Sequence, residues 1–324
     1  MSFVSVLGGV NLIKPYAAHN NRVMSVRFAP SPTGRFHLGN LRSAWISQWW
    51  ADRLSLPHLI RFEDIDGPRV LTGAQELQIA DMERIGVRAT IQQKQSDFHD
   101  RHWRLFREAV DRGWIYPCFC SRSEVQQALK NSASAPHESP PLYSGHCREL
   151  HCFAETSLPS IAWRLKMAVL GGRQDFIVAR TPAIRNLNEL KPESFVPAYN
   201  WACAVDDYDA APQLLVRAWD LEDVIPQQRA VHDLVARMES TPRSYPAVFH
   251  SSLITQNSGA RLEKRTQGVT LPELEAHGYS PSRLMDVFAE SFNVTFSDFA
   301  PQKIFGEAAK KLTLSELGLE SFDV

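Results

Sequence analysis

The sequence predicts an α/β protein built on a parallel sheet, and two features of the chain support that fold class. Residues 25–113 alternate short apolar, β-prone segments with longer segments whose apolar residues recur at helical spacing. The composition is also that of an ordinary globular domain, with 44% apolar and 22% charged residues. Strands that alternate with helices favour a parallel sheet covered by helices.

The totals exclude several classes of protein. A net charge of −1 does not by itself indicate a nucleic-acid partner. No apolar run approaches the roughly 18 residues of a membrane-spanning helix. Five cysteines, an odd number, argue against a disulfide framework. Residues 1–23 lack the pattern of a signal peptide, so we expect an N-terminal extension there, no membrane and a cytoplasmic protein.

The elements are predicted in chain order. SVRFA (25–29) and HLIRFEDID (58–66) predict strands, and the three segments 40–54, 73–86 and 97–113 predict amphipathic helices. The apolar segments YNWACAVDDY (199–208) and QLLVRAWDL (213–221) predict a return to the sheet. The last 70 or so residues predict helices, which begin at Leu-Pro-Glu-Leu and Ser-Pro-Ser-Arg-Leu because proline suits the first helical turn.

The loop RFAPSPTGRFHLGN (27–40) joins the first strand to the first helix. Ligands of parallel sheets collect at the carboxyl ends of strands, and a helix start offers free N–H groups to phosphate. His37, Gly39 and Asn40 are therefore candidate phosphate-binding residues, although a capping role for His37 is an alternative. The end of RFEDID is expected at the same rim of the sheet.

Five ordered blocks carry a resemblance to a known family. PSPTGRFHLGN resembles the HIGH motif of class I aminoacyl-tRNA synthetases in its glutamyl form, and RFEDIDGPR resembles the acidic segment of that branch. AYNWACAVDDY, LLVRAWDL and GARLEKR are similar to its later blocks, and the matches run from Val26 to about Arg265. The resemblance implies a Rossmann-like catalytic sheet, with His37, Gly39, Asn40 and Lys264 binding ATP and with His37 and Lys264 catalytic.

The resemblance also implies a glutamate site. The residues concerned are Arg27, Ala29, Ser31, Glu63, Tyr199 and Arg217. A guanidinium fork suits a carboxylate, so Arg27 and Arg217 would hold the substrate side chain, and Glu63 would take its ammonium group. Two departures stand out, Glu263 where the family carries serine beside the catalytic lysine and Ala218 where glycine is common. A solvated charged loop is the alternative for Glu263.

Cys118, Cys120 and Cys147 bracket a Ser- and Pro-rich loop, and cysteines one residue apart can share a zinc ion. By spacing alone, His146, His151 or Cys152 would be a more usual fourth ligand than Tyr143. Resemblance to the glutamyl-queuosine tRNA(Asp) synthetases, whose pattern is Cys-x-Cys followed by Tyr-x-x-x-Cys, implies Tyr143. Cys203 is expected in the core of a strand.

The same resemblance implies a function. Only 60 residues follow Lys264, too few for the large anticodon-binding part of a glutamyl-tRNA synthetase. The implied enzyme is a ligase that activates L-glutamate with ATP and Mg²⁺, releases AMP and pyrophosphate, and transfers glutamate to queuosine in tRNA(Asp), as a monomer. Ordinary 3′-end charging, a nucleotidyltransferase and a silent RNA-binding relative remain alternatives.

The implied domain organisation has five parts. These are an extension (1–23), the first catalytic half (24–113), an acceptor-binding-like insertion with the zinc site (114–198), the second catalytic half (199–250), and a mobile loop with a helical stem-contact-like subdomain (251–324). A local excess of four positive charges in residues 161–191, which includes Arg164, suits an RNA-facing surface. An ordinary solvated surface explains these charges as well.

Overall fold

A computed structural model of the chain describes residues 24–65, 67–121, 123–125, 143, 145–149, 158–260, 262 and 269–322. The strands in chain order are β1 Val26–Phe28, β2 His58–Phe62, β3 Ile91–Lys94, β4 Ile115–Cys118, β5 Ser160–Leu165, β6 Phe176–Pro182, β7 Val196–Pro197, β8 Leu214–Ala218, β9 Ala247–Ser251, β10 Leu253–Thr255, β11 Ile304–Gly306 and β12 Lys311–Thr313. The helices are α1 Leu38–Leu54, α2 Ala74–Arg84, α3 His99–Asp111, α4 Tyr199–Ala210, α5 Ile225–Met238, α6 Leu271–Ala276 and α7 Pro281–Ser291.

The chain forms two compact units that each draw on more than one stretch of sequence. The described residues of the first unit fall within Met1–Asp97, Asp209–Asp223 and Ser244–Val324. Those of the second fall within Phe98–Tyr208 and Val224–Arg243. No helix in the described ranges is long and apolar enough to cross a membrane.

A six-stranded sheet forms the centre of the first unit, in the order β11-β9-β8-β1-β2-β3. Every neighbouring pair in it is parallel, which confirms the predicted α/β class. The strand order turns round between β1 and β8, and such a switch point is where open parallel sheets bind their ligands. A ligand is therefore expected at the loops that follow β1 and β8.

The two faces of this sheet differ in chemistry because side chains alternate along each strand. Val26, Val216 and Phe249 share one face and pack against Ile46 and Trp50 of α1. The opposite face carries charged residues toward the carboxyl ends of its strands. This face supplies the candidate substrate-binding groups described below.

The second unit contains an antiparallel four-stranded sheet, in the order β4-β5-β6-β7. Its core joins residues of α3, α4 and α5 to one face of that sheet, with Phe106, Trp163 and Trp201 fully buried. Within this unit, the buried His102 of α3 lies 2.6 Å from the Asp206 carboxylate of α4. The pair fixes α4 to α3 through a polar contact inside an otherwise apolar core.

One prediction about secondary structure is wrong, and a second is not confirmed. The segment that begins at Tyr199 is helix α4 and not a strand, so Cys203 is buried in a helix. The helical C-terminal subdomain is not confirmed, because the last part of the chain contains α6 and α7 but also β10, β11 and β12. The two proline-led helix starts are correct, and the Thr270–Glu273 capping box and the Ser280 cap stabilise them.

His58 at the start of β2 is buried and contacts two residues of α1. Its Nε2 lies 2.8 Å from the Ser47 hydroxyl and its Nδ1 lies 3.1 Å from the Gln48 amide oxygen. Burial lowers the pKa of His58 from 6.5 to about 4, although a backbone hydrogen bond to Arg88 partly opposes the shift. The folded protein therefore holds this imidazole uncharged at neutral pH.

We expect acid to destabilise the fold through His58. The unfolded chain binds a proton near pH 6.5 and the folded chain only near pH 4, so stability falls as the pH drops through that window. The loss from this residue is on the order of 2 kcal/mol at pH 5. Urea unfolding at pH 7, 6 and 5 should show a shallower loss in His58→Gln, whereas the exposed-site control His277→Gln should keep the full slope. Equal slopes in all three proteins would contradict the assignment.

Candidate active site

The start of α1 is the centre of the candidate site. His37 is the N-cap residue, and its Nδ1 accepts a hydrogen bond of 3.1 Å from the Gly39 amide. A Cβ on Gly39 would lie 3.0 Å from the His37 ring, so a larger residue there would have to shift the imidazole by a few tenths of an ångström. Asn40 follows, and its buried Oδ1 has no hydrogen-bond partner within the described part of the chain. The helix start thus places an imidazole, amide groups and an amide oxygen together.

The loop between β1 and α1 is fixed by residues of other elements. The Gln78 side-chain amide of α2 donates to the carbonyl oxygens of Ser31, at 3.1 Å, and Gly34, at 2.7 Å. The Glu63 amide donates to the Pro30 carbonyl at 2.9 Å, which joins the ends of β1 and β2. The prediction that both segments lie at one rim of the sheet is therefore confirmed.

Four charged residues share the polar face of the sheet. β1 pairs Arg27 with Leu215 of β8, so Arg217, two residues further, has the same orientation. On the other side of β1, Arg61 and Glu63 lie 3.4 Å apart, guanidinium to carboxylate. All four side chains are buried, with exposures between 0% and 5%. Buried arginines with a nearby carboxylate are well suited to a small zwitterionic ligand with an extra negative charge.

His250 of β9 is the register neighbour of Arg217 and is completely buried. Its ring packs edge-on against Trp219, with the centroids 4.6 Å apart. Burial, followed by repulsion from Arg217, lowers the pKa of His250 to about 4. The imidazole therefore stays neutral at pH 7 and adds no second cation beside the Arg217 guanidinium.

The residues that flank the predicted catalytic-lysine loop are held next to the helix start. Leu262 and Val269 are both buried in the apolar cluster that contains Phe36 and Leu38. The Leu38 amide donates to the Val269 carbonyl at 2.8 Å, and His37 forms a β-bridge with Thr270. Lys264 and Glu263 themselves lie outside the described residues.

A second constellation lies in the other unit, where β4 ends. The Sγ atoms of Cys118, Cys120 and Cys147 all lie within 4.8 Å of one another. The Tyr143 hydroxyl is 3.2 Å from Cys118 Sγ and 3.8 Å from Cys120 Sγ. Tetrahedral zinc with bonds of about 2.3 Å separates its sulfur ligands by roughly 3.8 Å, so these donors suit that ion.

Arg164 packs against this cluster. The Arg164 guanidinium carbon lies 3.8 Å from the centre of the Tyr143 ring, and the residue is buried. The pKa of Cys118 is lowered, first because the Cys147 thiol hydrogen-bonds to it and further through Tyr143 and Arg164. A thiolate is the form that binds a metal. Because Arg164 is buried, its expected place on an exposed RNA-facing surface is wrong.

The structure places the sequence-predicted residues as follows. The first unit holds Arg27, Ala29, Ser31, His37, Gly39, Asn40, Glu63 and Arg217, and the second unit holds Tyr199 and the cluster of Cys118, Cys120, Tyr143 and Cys147. His146 is exposed and His151 and Cys152 lie outside the described residues. Ala218 has φ −82° and ψ 160°, so alanine replaces the family's glycine there without backbone strain.

Sequence reasoning did not find Gln78, Arg42 or His250. Gln78 is fully buried in an otherwise polar-looking helix, and a buried glutamine signals a specific hydrogen-bonding task only after burial is known. Only His250 had a signal in the sequence: it is a polar residue within an apolar run. A polar residue near the carboxyl end of a buried strand is a candidate site residue.

Comparisons with known proteins agree with this geometry. A sequence profile described as tRNA synthetases class I (E and Q), catalytic domain, matches residues 23–297. The chain belongs to that family. It is also 34% identical over 265 residues to the Glutamyl-Q tRNA(Asp) synthetase of Deinococcus radiodurans, which covers 80% of this chain and 85% of that protein.

Longer relatives match as well. The glutamate–tRNA ligase of Bacillus licheniformis is 27% identical over 320 residues, 92% of this chain but 62% of that protein. The crystal structure of the glutamate-tRNA synthetase from Elizabethkingia anophelis shares the fold, with a TM-score of 0.59 and 21% identity. It covers 93% of this chain, and this chain spans 66% of it.

The cysteine cluster makes a direct prediction about metal content. We expect the purified protein to bind one zinc ion, measured by elemental analysis after dialysis, and Cys147→Ser to lose it because one thiolate ligand is removed. Cys203→Ser is the matched control, since Cys203 is a buried cysteine of the same unit outside the cluster. Zinc-free wild-type protein, or equal zinc in Cys147→Ser, would contradict the prediction.

Proposed function

We propose that the protein activates L-glutamate with ATP to glutamyl-adenylate and transfers the glutamyl group to the queuosine base in the anticodon loop of tRNA(Asp). The observation that carries the proposal is the polar face of the parallel sheet. There, Arg27, Arg217 and Glu63 are buried beside the loop that leads to His37. An acidic amino acid and a nucleotide are the ligands that such a rim fits.

Glutamate would bind through three charges. Arg27 and Arg217 hold its side-chain carboxylate through guanidinium hydrogen bonds, and Glu63 takes the ammonium group. The exposed Ser31 and the half-buried Ala29 would contact it through the loop backbone, which Gln78 keeps in place. Tyr199, at the start of α4 in the second unit, remains a glutamate-binding residue only by the family resemblance.

ATP would bind at the start of α1. His37 and the amides near Gly39 and Asn40 would bind the phosphates, and the family resemblance assigns Lys264 to the same phosphates. A glutamate carboxylate oxygen attacks the α-phosphorus, the bond to the β-phosphate oxygen breaks, and pyrophosphate leaves. Mg²⁺ accompanies ATP and neutralises part of the phosphate charge when bound.

In the second step, a cyclopentenediol hydroxyl of queuosine attacks the acyl carbon, its proton is lost and AMP leaves as an ester forms. The choice of acceptor rests on the relatives. The chain is 34% identical to a protein named Glutamyl-Q tRNA(Asp) synthetase and 27% identical to a named glutamate–tRNA ligase. Cytoplasmic tRNA is the substrate pool, and a monomer suffices for both steps.

The other parts of the chain receive supporting roles in this proposal. Zinc, held by three cysteines and Tyr143, would stabilise the second unit structurally. The basic residues Arg173, Arg185 and Lys191 are exposed and remain candidates for contact with the tRNA backbone. The five-part domain organisation, with its acceptor-binding-like insertion, is kept as part of the proposal.

Transfer of labelled glutamate tests the function. With ATP and Mg²⁺, we expect label on tRNA(Asp) that contains queuosine and none on matched tRNA that lacks it. The label should survive removal of the 3′-terminal adenosine, because the ester is on the anticodon loop. Label that is lost with that adenosine would instead support 3′-end charging. Label on neither tRNA, together with no glutamate-dependent ATP–pyrophosphate exchange, would favour a silent RNA-binding relative.

Arg217 should govern affinity for glutamate and not for ATP. We expect Arg217→Ala to raise the KM for glutamate roughly ten- to hundredfold, because charged hydrogen bonds of this type contribute about 1.5–3 kcal/mol. The KM for ATP in pyrophosphate exchange should change by no more than about twofold on this view. Arg173→Ala, at an exposed arginine, is the matched control. An equal loss of ATP affinity in Arg217→Ala would contradict the role.

A further inference from the structure

Glu307, immediately after β11, makes buried contacts with three separate parts of the first unit. Its carboxylate accepts hydrogen bonds from both terminal nitrogens of Arg42 in α1, at 2.6 and 2.5 Å. The same carboxylate accepts the backbone amide of Ser252 at 2.7 Å. Its own amide donates to the His250 carbonyl at 3.0 Å, and its carbonyl accepts from the Trp219 indole at 3.3 Å.

These contacts are enclosed. The side chains of Arg42 and Glu307 are 1% and 3% exposed, and Arg42 also donates to the Ser291 hydroxyl and carbonyl at the end of α7. A bidentate ion pair that is this buried has its polar atoms satisfied and admits little displacement. Gly306 fits tightly beside it, because a Cβ there would lie 2.4 Å from the His250 carbonyl.

The elements joined by Glu307 are those that would hold ATP. Arg42 lies in the second turn of α1, the helix that begins after His37. Ser252 lies between β9 and β10, and β10 leads toward the loop that contains Lys264. β12 pairs with β10 in parallel over residues 253–255, so the segment after Glu307 supports the same strand.

The residue also lies beyond the part of the chain that the family profile matches, which ends at residue 297. The motifs of the family therefore assign nothing to it. Its hydrogen-bond partners are Arg42, Trp219, His250 and Ser252, so a segment near the end of the chain contacts elements that are distant from it in sequence.

We propose that Glu307 is a positioning residue for the ATP site, and that it acts through Arg42 and Ser252. This inference rests on the proposed function. The Glu307 carboxylate fixes α1 against the turn between β9 and β10, so that His37 and the Gly39 amide at the start of α1 meet the triphosphate in register. The glutamate-binding residues are Arg27 in β1, Glu63 after β2 and Arg217 in β8. In the described part of the chain, the Glu307 side chain hydrogen-bonds to Arg42 and Ser252 and not to these three residues.

Glu307→Gln tests the proposal, because it keeps the side-chain volume and removes the charge. We expect the KM for ATP in glutamate-dependent ATP–pyrophosphate exchange to rise by about tenfold or more, since small misplacements of catalytic groups are costly. The KM for glutamate should change by no more than about twofold. Glu275→Gln is the matched control, because Glu275 forms a more exposed ion pair with Arg84 in the same unit. It should leave both constants unchanged.

A second variant separates positioning from stability. In the double variant Arg42→Met, Glu307→Met, an apolar pair replaces the ion pair, which is often neutral for stability. Because the apolar pair removes both buried charges together, we expect a melting temperature close to that of the wild type. The KM for ATP should still be raised, because the link from α1 to Ser252 is lost. Normal ATP kinetics in either variant would overturn the proposal, as would parallel losses for ATP and glutamate. Wild-type protein without pyrophosphate exchange would instead refute the proposed function.

Discussion

The parallel pairing of β1 with β2 on one side and β8 on the other is the constraint on which the first unit depends. Because the three strands run the same way, their carboxyl ends and the loops after them meet at one rim. The loop after β1 carries His37, and the residue after β2 is Glu63. Arg217 lies near the end of β8. The parallel strand pairing brings these groups together although they are far apart in the sequence.

The two faces of the sheet differ, and the stability that the apolar face contributes offsets the cost of burying charges on the other face. The apolar face packs on α1 and supplies hydrophobic stabilisation, whereas the opposite face holds Arg27, Arg61, Glu63 and Arg217 with almost no solvent exposure. Burying charge is costly unless the groups are compensated. The sheet tolerates them because opposite charges are neighbours, as in the Arg61–Glu63 contact, and because His250 remains neutral beside Arg217.

The parts of this fold that the sequence predicted are those with local signals. The strand–loop–helix around His37, the proline-led helix starts and the Cys-x-Cys pair each follow from neighbouring residues. Helix α4 was not predicted because residues 201–208 are all buried. A helix without a solvent-exposed polar face shows no helical period in its sequence. β11 and β12 have three residues each, too few for a pattern. The Arg42–Glu307 pair joins positions that only the folded chain brings together.

The order of the strands in space also bears on how the protein is made. The second unit's strands β4 to β7 lie within residues 115–197 and can pair as soon as that stretch has been synthesised. In the first unit, β1 waits for β8, and the edge of the sheet waits for β11 at residues 304–306. At 5–20 residues per second this delay is roughly ten seconds to a minute. The strand that carries Arg27 is thus among the first synthesised, yet one of its edges stays unpaired until β8 has been made, which leaves an open strand edge during translation.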